Sequence, residues 1–351
     1  MEASNTVNKV KVRDSNMELL RLLAMFLVLV VHANFRALPR PDSMQIATNT
    51  TSALLQFMTE GFSIVAVDVF VLLSGWYGIK MKFSRLAEMG FQLLFFGLLG
   101  IGICAVYDPA NLESKVLSRL FLTDGGYWFV KSYVVLFVFA PVINAFIGSA
   151  DRKTFRNVLI AFFAFELAYD WLSEGTSWLR GGYSFPSFMG LYMLARYVRL
   201  YKPAFSRFSK WADLGIYLCA VCFLTFAVCY LRYKGVKAGA LYFYDCPVVM
   251  AGALYLLLFF SKLPVFKNKV INWLAISCLA VYLTQSSNFI SCYYDKFILN
   301  WFETETRVTF IIYTGCFIFA VFIGSMLIDK VRLALWHPIE KLAFKKNNKK
   351  A

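Results

Sequence analysis

Charge is scarce in this chain. Only 16% of its 351 residues are Asp, Glu, Lys or Arg, against 59% hydrophobic, too few to cover a soluble globular surface. Lipid is therefore the solvent for most of the chain. A hydrocarbon core of roughly 30 Å takes about 20 apolar residues per helix, so this length holds about ten spans with short loops and little room for a separate soluble domain.

Acid is scarcer than base, with 21 Asp and Glu against 36 Lys and Arg. The basic residues fall between apolar runs and build no basic domain or basic amphipathic helix, which excludes nucleic acid as a partner. Paired cysteine chemistry is missing as well. The eight cysteines lie mostly inside apolar stretches, where a free thiol behaves as a small hydrophobe, and the C-x-x-C of Cys219 and Cys222 has no second ligand pair or nearby His. Neither a disulfide nor a metal site is expected. No internal repeat is visible, and no small-residue cleavage site follows the first apolar run in HANFRALPRP, so that run reads as a retained helix.

What is present is a series of apolar segments, and the chain reads as an all-α polytopic membrane protein. Spans are expected near 17–35, 57–79, 86–107, 128–148, 155–172, 185–201, 212–231, 241–261, 272–293 and 308–329. Residues 1–16 form a polar segment ahead of a membrane domain at 17–329, and a basic tail follows at 330–351. Lys and Arg are in excess on the segments that share a side with both termini, from Lys9, Lys11 and Arg13 to KKNNKK at 345–350. By the positive-inside rule both termini are cytoplasmic, and the membrane is the inner, cytoplasmic one.

Polar groups at membrane depth are costly, so each is a functional candidate, with helix pairing as the structural alternative. Arg21 and His32 stand eleven positions apart, which leaves them on one helix face and roughly 16 Å apart along the axis. A guanidinium at the inner edge suits a donor phosphate, and an imidazole deeper in suits proton abstraction from a hydroxyl. The local alternative has Arg21 paired with Glu18 at i−3 and His32 bonded to a neighbouring helix. Asp68, twelve residues above Lys80 on the next span, falls near the depth of His32 and is placed to orient it. Glu166, Asp170 and Asp245 lie in the outer parts of their spans near Tyr127, Trp128, Trp171 and Trp178. Carboxylates beside aromatic faces suit a sugar, although interfacial Trp and Tyr occur in any membrane protein.

The Arg-x10-His spacing of RLLAMFLVLVVH, followed by VDVFVLLSGW, resembles the first two helices of acyltransferase family 3, the bacterial integral membrane O-acyltransferases. That resemblance implies an acyl-CoA donor, typically acetyl-CoA, used as substrate with no permanently bound cofactor. It implies a surface or exported polysaccharide, or a lipid-linked glycan, as acceptor. It casts Arg21 and His32 as the hallmark pair. Lys82 and Arg85, in KMKFSRL, occupy the place of an Arg-x-x-Arg associated with the donor, with Lys in the first position. Trp128 and Phe129 resemble the family's Trp-Phe/Tyr helix start, with Tyr133, Pro141 and Asn144 matching capsule-type members, and SCLAVYLTQSS resembles a Ser-x-x-x-Tyr-Leu-x-His run with Gln285 in place of His.

The expected site therefore has His32, Arg21 and Asp68 as catalytic residues, with Arg21, Lys82 and Arg85 on the donor. Trp128, Tyr133, Glu166, Asp170, Tyr282 and Gln285 face the acceptor. The rival is a transporter or flippase for a glycan or lipid-linked sugar; the sequence displays neither the related halves nor the broken helices usual in such carriers.

Overall fold

The computed structural model describes residues 14–109, 127–172, 179, 181–287 and 290–344. Every regular element among them is helical. The order is α1 (Ser15–Val31, extended by a π-helical turn at His32–Arg36), α2 (Ser43–Thr48), α3 (Thr50–Ser63), α4 (Ala66–Tyr77), α5 (Phe83–Tyr107), α6 (Trp128–Ser149) and α7 (Arg152–Leu172). There follow α8 (Phe185–Tyr201), α9 (Lys210–Tyr233), α10 (Pro247–Ser261), α11 (Lys269–Ala275), α12 (Cys278–Gln285), α13 (Ser291–Thr304) and α14 (Arg307–Phe344). The chain is an all-α polytopic membrane protein. Seven stretches among the described residues are long and apolar enough to cross a bilayer: Ser15–Arg36, Thr50–Tyr77, Phe83–Tyr107, Trp128–Ser149, Lys210–Tyr233, Gly239–Ser261 and Arg307–Phe344.

The other three expected spans show what composition overlooks. The stretch 155–172 is helical within α7 but carries Arg156, Glu166 and Asp170. The stretch 185–201 is α8, a helix of 17 residues, which reaches only about 26 Å. The expected single span at 272–293 is not one helix. It divides into α11, α12 and the start of α13. The first break falls at Ile276–Ser277, where Lys330 Nζ donates to Trp273 O (2.6 Å) and to Ser277 Oγ (2.9 Å) and lies 4.1 Å from the centre of the Trp273 ring. A cation from α14 thus satisfies a carbonyl at the end of the first half, the kind of support interrupted backbone needs at depth.

Two contacts fix the rest of the frame. α4 meets α8 at backbone distance, because Gly75 leaves no side chain between them; a Cβ there would stand 2.4 Å from Tyr192 O. The last helix continues fifteen residues beyond the expected end at 329, held by a buried ion cluster. Arg332 donates to both carboxylate oxygens of Asp329 (2.9 Å each) and to Glu88 on α5 (3.2 Å), and Gln92 donates to Asp329 as well. Desolvated charges are tolerable in such an arrangement because each has a partner.

Candidate active site

α1 carries the site, and its outer end changes winding where the site begins. The π-helical turn at His32–Arg36 widens the helix by one residue, a distortion common at functional positions. It leaves His32, Phe35 and Arg36 facing a cavity of about 300 Å³. Asn34 turns the other way, and its Nδ2 donates to Gln56 O and to Glu60 Oε2, both at 3.0 Å. The bulge is thus pinned from α3.

His32 Nδ1 lies 2.6 Å from Gln285 Oε1. A carboxamide oxygen only accepts, so this pairing puts the ring proton on Nδ1 and leaves Nε2 with a lone pair. Ser286 Oγ donates to the same oxygen at 3.1 Å. The break at Ile276–Ser277 is what re-aims α12 so that its last residue meets the imidazole.

The cavity wall opposite His32 is aromatic. Trp128 stacks on Tyr244 with ring centres 5.7 Å apart and packs 4.5 Å from Tyr183, and all three line the space together with Tyr282. Burial raises the Tyr183 hydroxyl above the ordinary tyrosine value, so it stays protonated. Arg36, Arg40 and Glu60 also line the cavity. Arg36 is held by Asp295 (2.6 Å). The cavity extends inward to Met25, one helical turn from Arg21. A protonatable nitrogen, flat apolar faces and hydroxyl donors can hold a sugar with one hydroxyl against an imidazole.

A family model described as an acyltransferase domain matches residues 14–330. The chain belongs to the acyltransferase 3 family. No curated protein and no solved structure matches it. It is a multi-pass membrane acyltransferase, with the bilayer, an acyl donor and an acyl acceptor as its partners.

Several of the anticipated residues of this acyltransferase meet. His32 and Gln285 are bonded, and Trp128 and Tyr282 share the cavity with His32. Others do not join them. Asp68 makes no bond to His32; both its carboxylate oxygens are buried without a hydrogen-bond partner among the described residues, within electrostatic reach of Glu166 and Asp245. The reason is helical phase. Ala66, Val67 and Phe70 occupy the cavity face of α4, which turns Asp68 towards Glu166 on α7 and Asp245 just ahead of α10. Glu166 and Asp170 sit on that far side too, Asp170 accepting from Gly181 N–H at 2.8 Å. Tyr133 is bonded to Ser74 Oγ at 3.1 Å and stacked on Phe129, tying α6 to α4. Tyr127 donates to Leu283 O and packs its ring against that of Tyr282. The side chain of Trp171 and all of Trp178 lie outside the described residues.

At the inner end, Arg21 Nη1 is 2.8 Å from Glu18 Oε2, the local pair that i−3 spacing allows. Lys82 stands at the N-cap position of α5 without a capping bond from its side chain, and Arg85 follows one turn later, both exposed. Asn144 does positional work: its Nδ2 donates to Ile79 O (2.9 Å), while Tyr192 donates to Asn144 Oδ1 and accepts from Ile79 N–H. Glu60 is the site residue that reading the sequence missed. Its signal was an acid inside an apolar run with no cation at helical spacing on α3.

Proposed function

We propose that this acyltransferase moves an acetyl group from cytoplasmic acetyl-CoA, or a related acyl group from its acyl-CoA, to a hydroxyl of a cell-surface or exported polysaccharide. The observation that carries the reading is the His32–Gln285 bond at the edge of an aromatic cavity. His32 Nε2 takes the proton of the acceptor hydroxyl as its oxygen attacks the thioester carbonyl. The tetrahedral intermediate collapses, the carbon–sulfur bond breaks, and the imidazolium returns the proton to the departing thiolate. Base catalysis of this kind contributes about 10²–10⁴-fold in rate. Trp128 and Tyr282 hold the sugar, and Arg21, Lys82 and Arg85 serve the donor phosphates.

The break between α11 and α12 favours a second reading, a glycan or lipid-linked sugar carrier, because discontinuous helices are common in carriers. One experiment separates the two. Detergent-purified protein is supplied with acetyl-CoA and the host glycan; slow acetyl-CoA turnover and acetylated glycan are expected. No acetyl-CoA binding by calorimetry together with glycan movement across vesicles establishes the carrier instead.

The donor side requires the inner membrane with both termini cytoplasmic. Reporter fusions at Asn49 are expected to report an external location, and fusions at Arg152 and Lys267 an internal one; the inverse pattern removes the donor site from acyl-CoA.

A further inference from the structure

A second cluster of chemistry lies outside the cavity, at the turn between α4 and α5. Gly78 adopts φ +77°, and the backbone of the next residue, Ile79, is bonded on both its N–H and its carbonyl by Tyr192 and Asn144. The turn is therefore held in one conformation before anything binds. Two arginines converge on it. Arg199 reaches from α8 to donate to Trp76 O, with its guanidinium 5.3 Å from the Trp76 ring centre and 5.1 Å from that of Tyr77. Arg196 lies one turn earlier on the same helix, its Nη1 3.4 Å from where a Cβ on Gly78 would stand. Its Nε is buried with no partner among the described residues. The charge around the Tyr77 hydroxyl is mixed: Asp14 and Glu18 are within electrostatic reach of it, as are Arg199 and Arg21, and Arg21 is itself paired with Glu18.

Tyr77 is 42% exposed, so part of its ring is open beside these cations. A capping arginine and an interfacial aromatic pair would account for Arg199, Trp76 and Tyr77 alone. They do not account for Arg196 turned in against a glycine, or for two hydrogen bonds spent on immobilising Ile79. An open ring flanked by planar, five-donor guanidinium forks has the chemistry of nucleotide recognition: the ring offers a face to a base and the forks offer paired donors to phosphate.

We propose that the Gly78 turn is a nucleoside-phosphate site, in which Tyr77 stacks on the base while Arg199 and Arg196 hold phosphates. The inference rests on the acyl-CoA reading for the identity of that nucleotide, the adenosine end of the donor. The position suits it. The cavity reaches inward to Phe70, seven residues or about 10 Å along α4 from Tyr77, so a donor anchored at the turn has its acyl end directed towards His32.

The test is calorimetry on the full-length protein in detergent, with adenosine 3′,5′-bisphosphate and pyrophosphate as probes. The bisphosphate is expected to bind at least tenfold more tightly than pyrophosphate. Tyr77→Leu is expected to erase that preference, Tyr77→Phe to keep it, and Arg199→Lys to weaken both probes, each by about tenfold. Equal affinity for the two probes in the wild type overturns the stacking role without any need for a folded variant. Unchanged binding in Tyr77→Leu and Arg199→Lys overturns the site. If those variants also keep the wild-type KM for acetyl-CoA while turnover persists, the acyl-CoA reading stands and the nucleotide site falls. If the wild type binds the bisphosphate as expected yet turns over no acetyl-CoA, the site stands and the acyl-CoA reading falls.

Discussion

The two ends of α1 carry an ionisable residue each and solve the problem of burying it in opposite ways. Arg21 finds its partner three residues away, in Glu18. His32 finds its own 253 positions away, in Gln285. A local pair forms wherever the helix forms, so it reports the helix and little else. A distant pair forms only if α12 arrives at the right depth and angle, and it arrives there because α11 stops short and Lys330 covers the break. The outer end of α1 is therefore the end whose geometry the whole bundle is organised to maintain, and disturbing it should cost far more than disturbing the inner end.

The largest effect is expected at His32 itself. His32→Ala removes the proton acceptor and should lower glycan acylation by about 10²–10⁴-fold, with membrane levels of the protein unchanged on immunoblots. Acylation at the wild-type level in that variant would end the role given to the imidazole, and with it the contrast between the ends.

Gln285 should matter next, and two substitutions there sharpen the point. Gln285→Leu leaves Nδ1 without an acceptor and should reduce kcat by about 10- to 100-fold, the cost of an unmade buried hydrogen bond. Gln285→His, the residue found here in the related family run, restores a partner and should recover most of the loss. If both variants behave alike, the contact is packing rather than orientation.

Arg21→Lys is expected to do least. The ion pair with Glu18 can re-form, so folding should be untouched, while loss of the guanidinium fork should raise the apparent KM for acetyl-CoA by about tenfold with kcat nearly constant. A fall in kcat comparable to that of Gln285→Leu would mean that the two ends of α1 act as one unit.

The acidic residues teach the same lesson as α1. The expectation that Asp68 lies beside His32 rests on depth alone, counted in residues along antiparallel helices. Depth does not fix rotation. Which face of α4 meets the cavity depends on how α4 seats against α8 through Gly75, and that contact turns Asp68 away. Resemblance points Tyr133 towards the acceptor, whereas its hydroxyl is bonded to Ser74. Trp128 and Tyr282, assigned by the same resemblance, do reach the cavity, because the start of α6 and the re-aimed α12 both close on it.

By itself, the sequence determined that lipid is the solvent, that the elements are helices, that Arg21 and His32 share a face, and that the chain belongs with the acyltransferases. Composition decides the first two through hydrophobic length, and helical periodicity decides the third. Only the tertiary structure decided that the ninth apolar stretch breaks, that Gln285 rather than Asp68 holds the imidazole, and that Arg196 and Arg199 gather at the Gly78 turn. Each of those depends on the rotation and tilt of one helix against another, set by contacts between residues far apart in the chain.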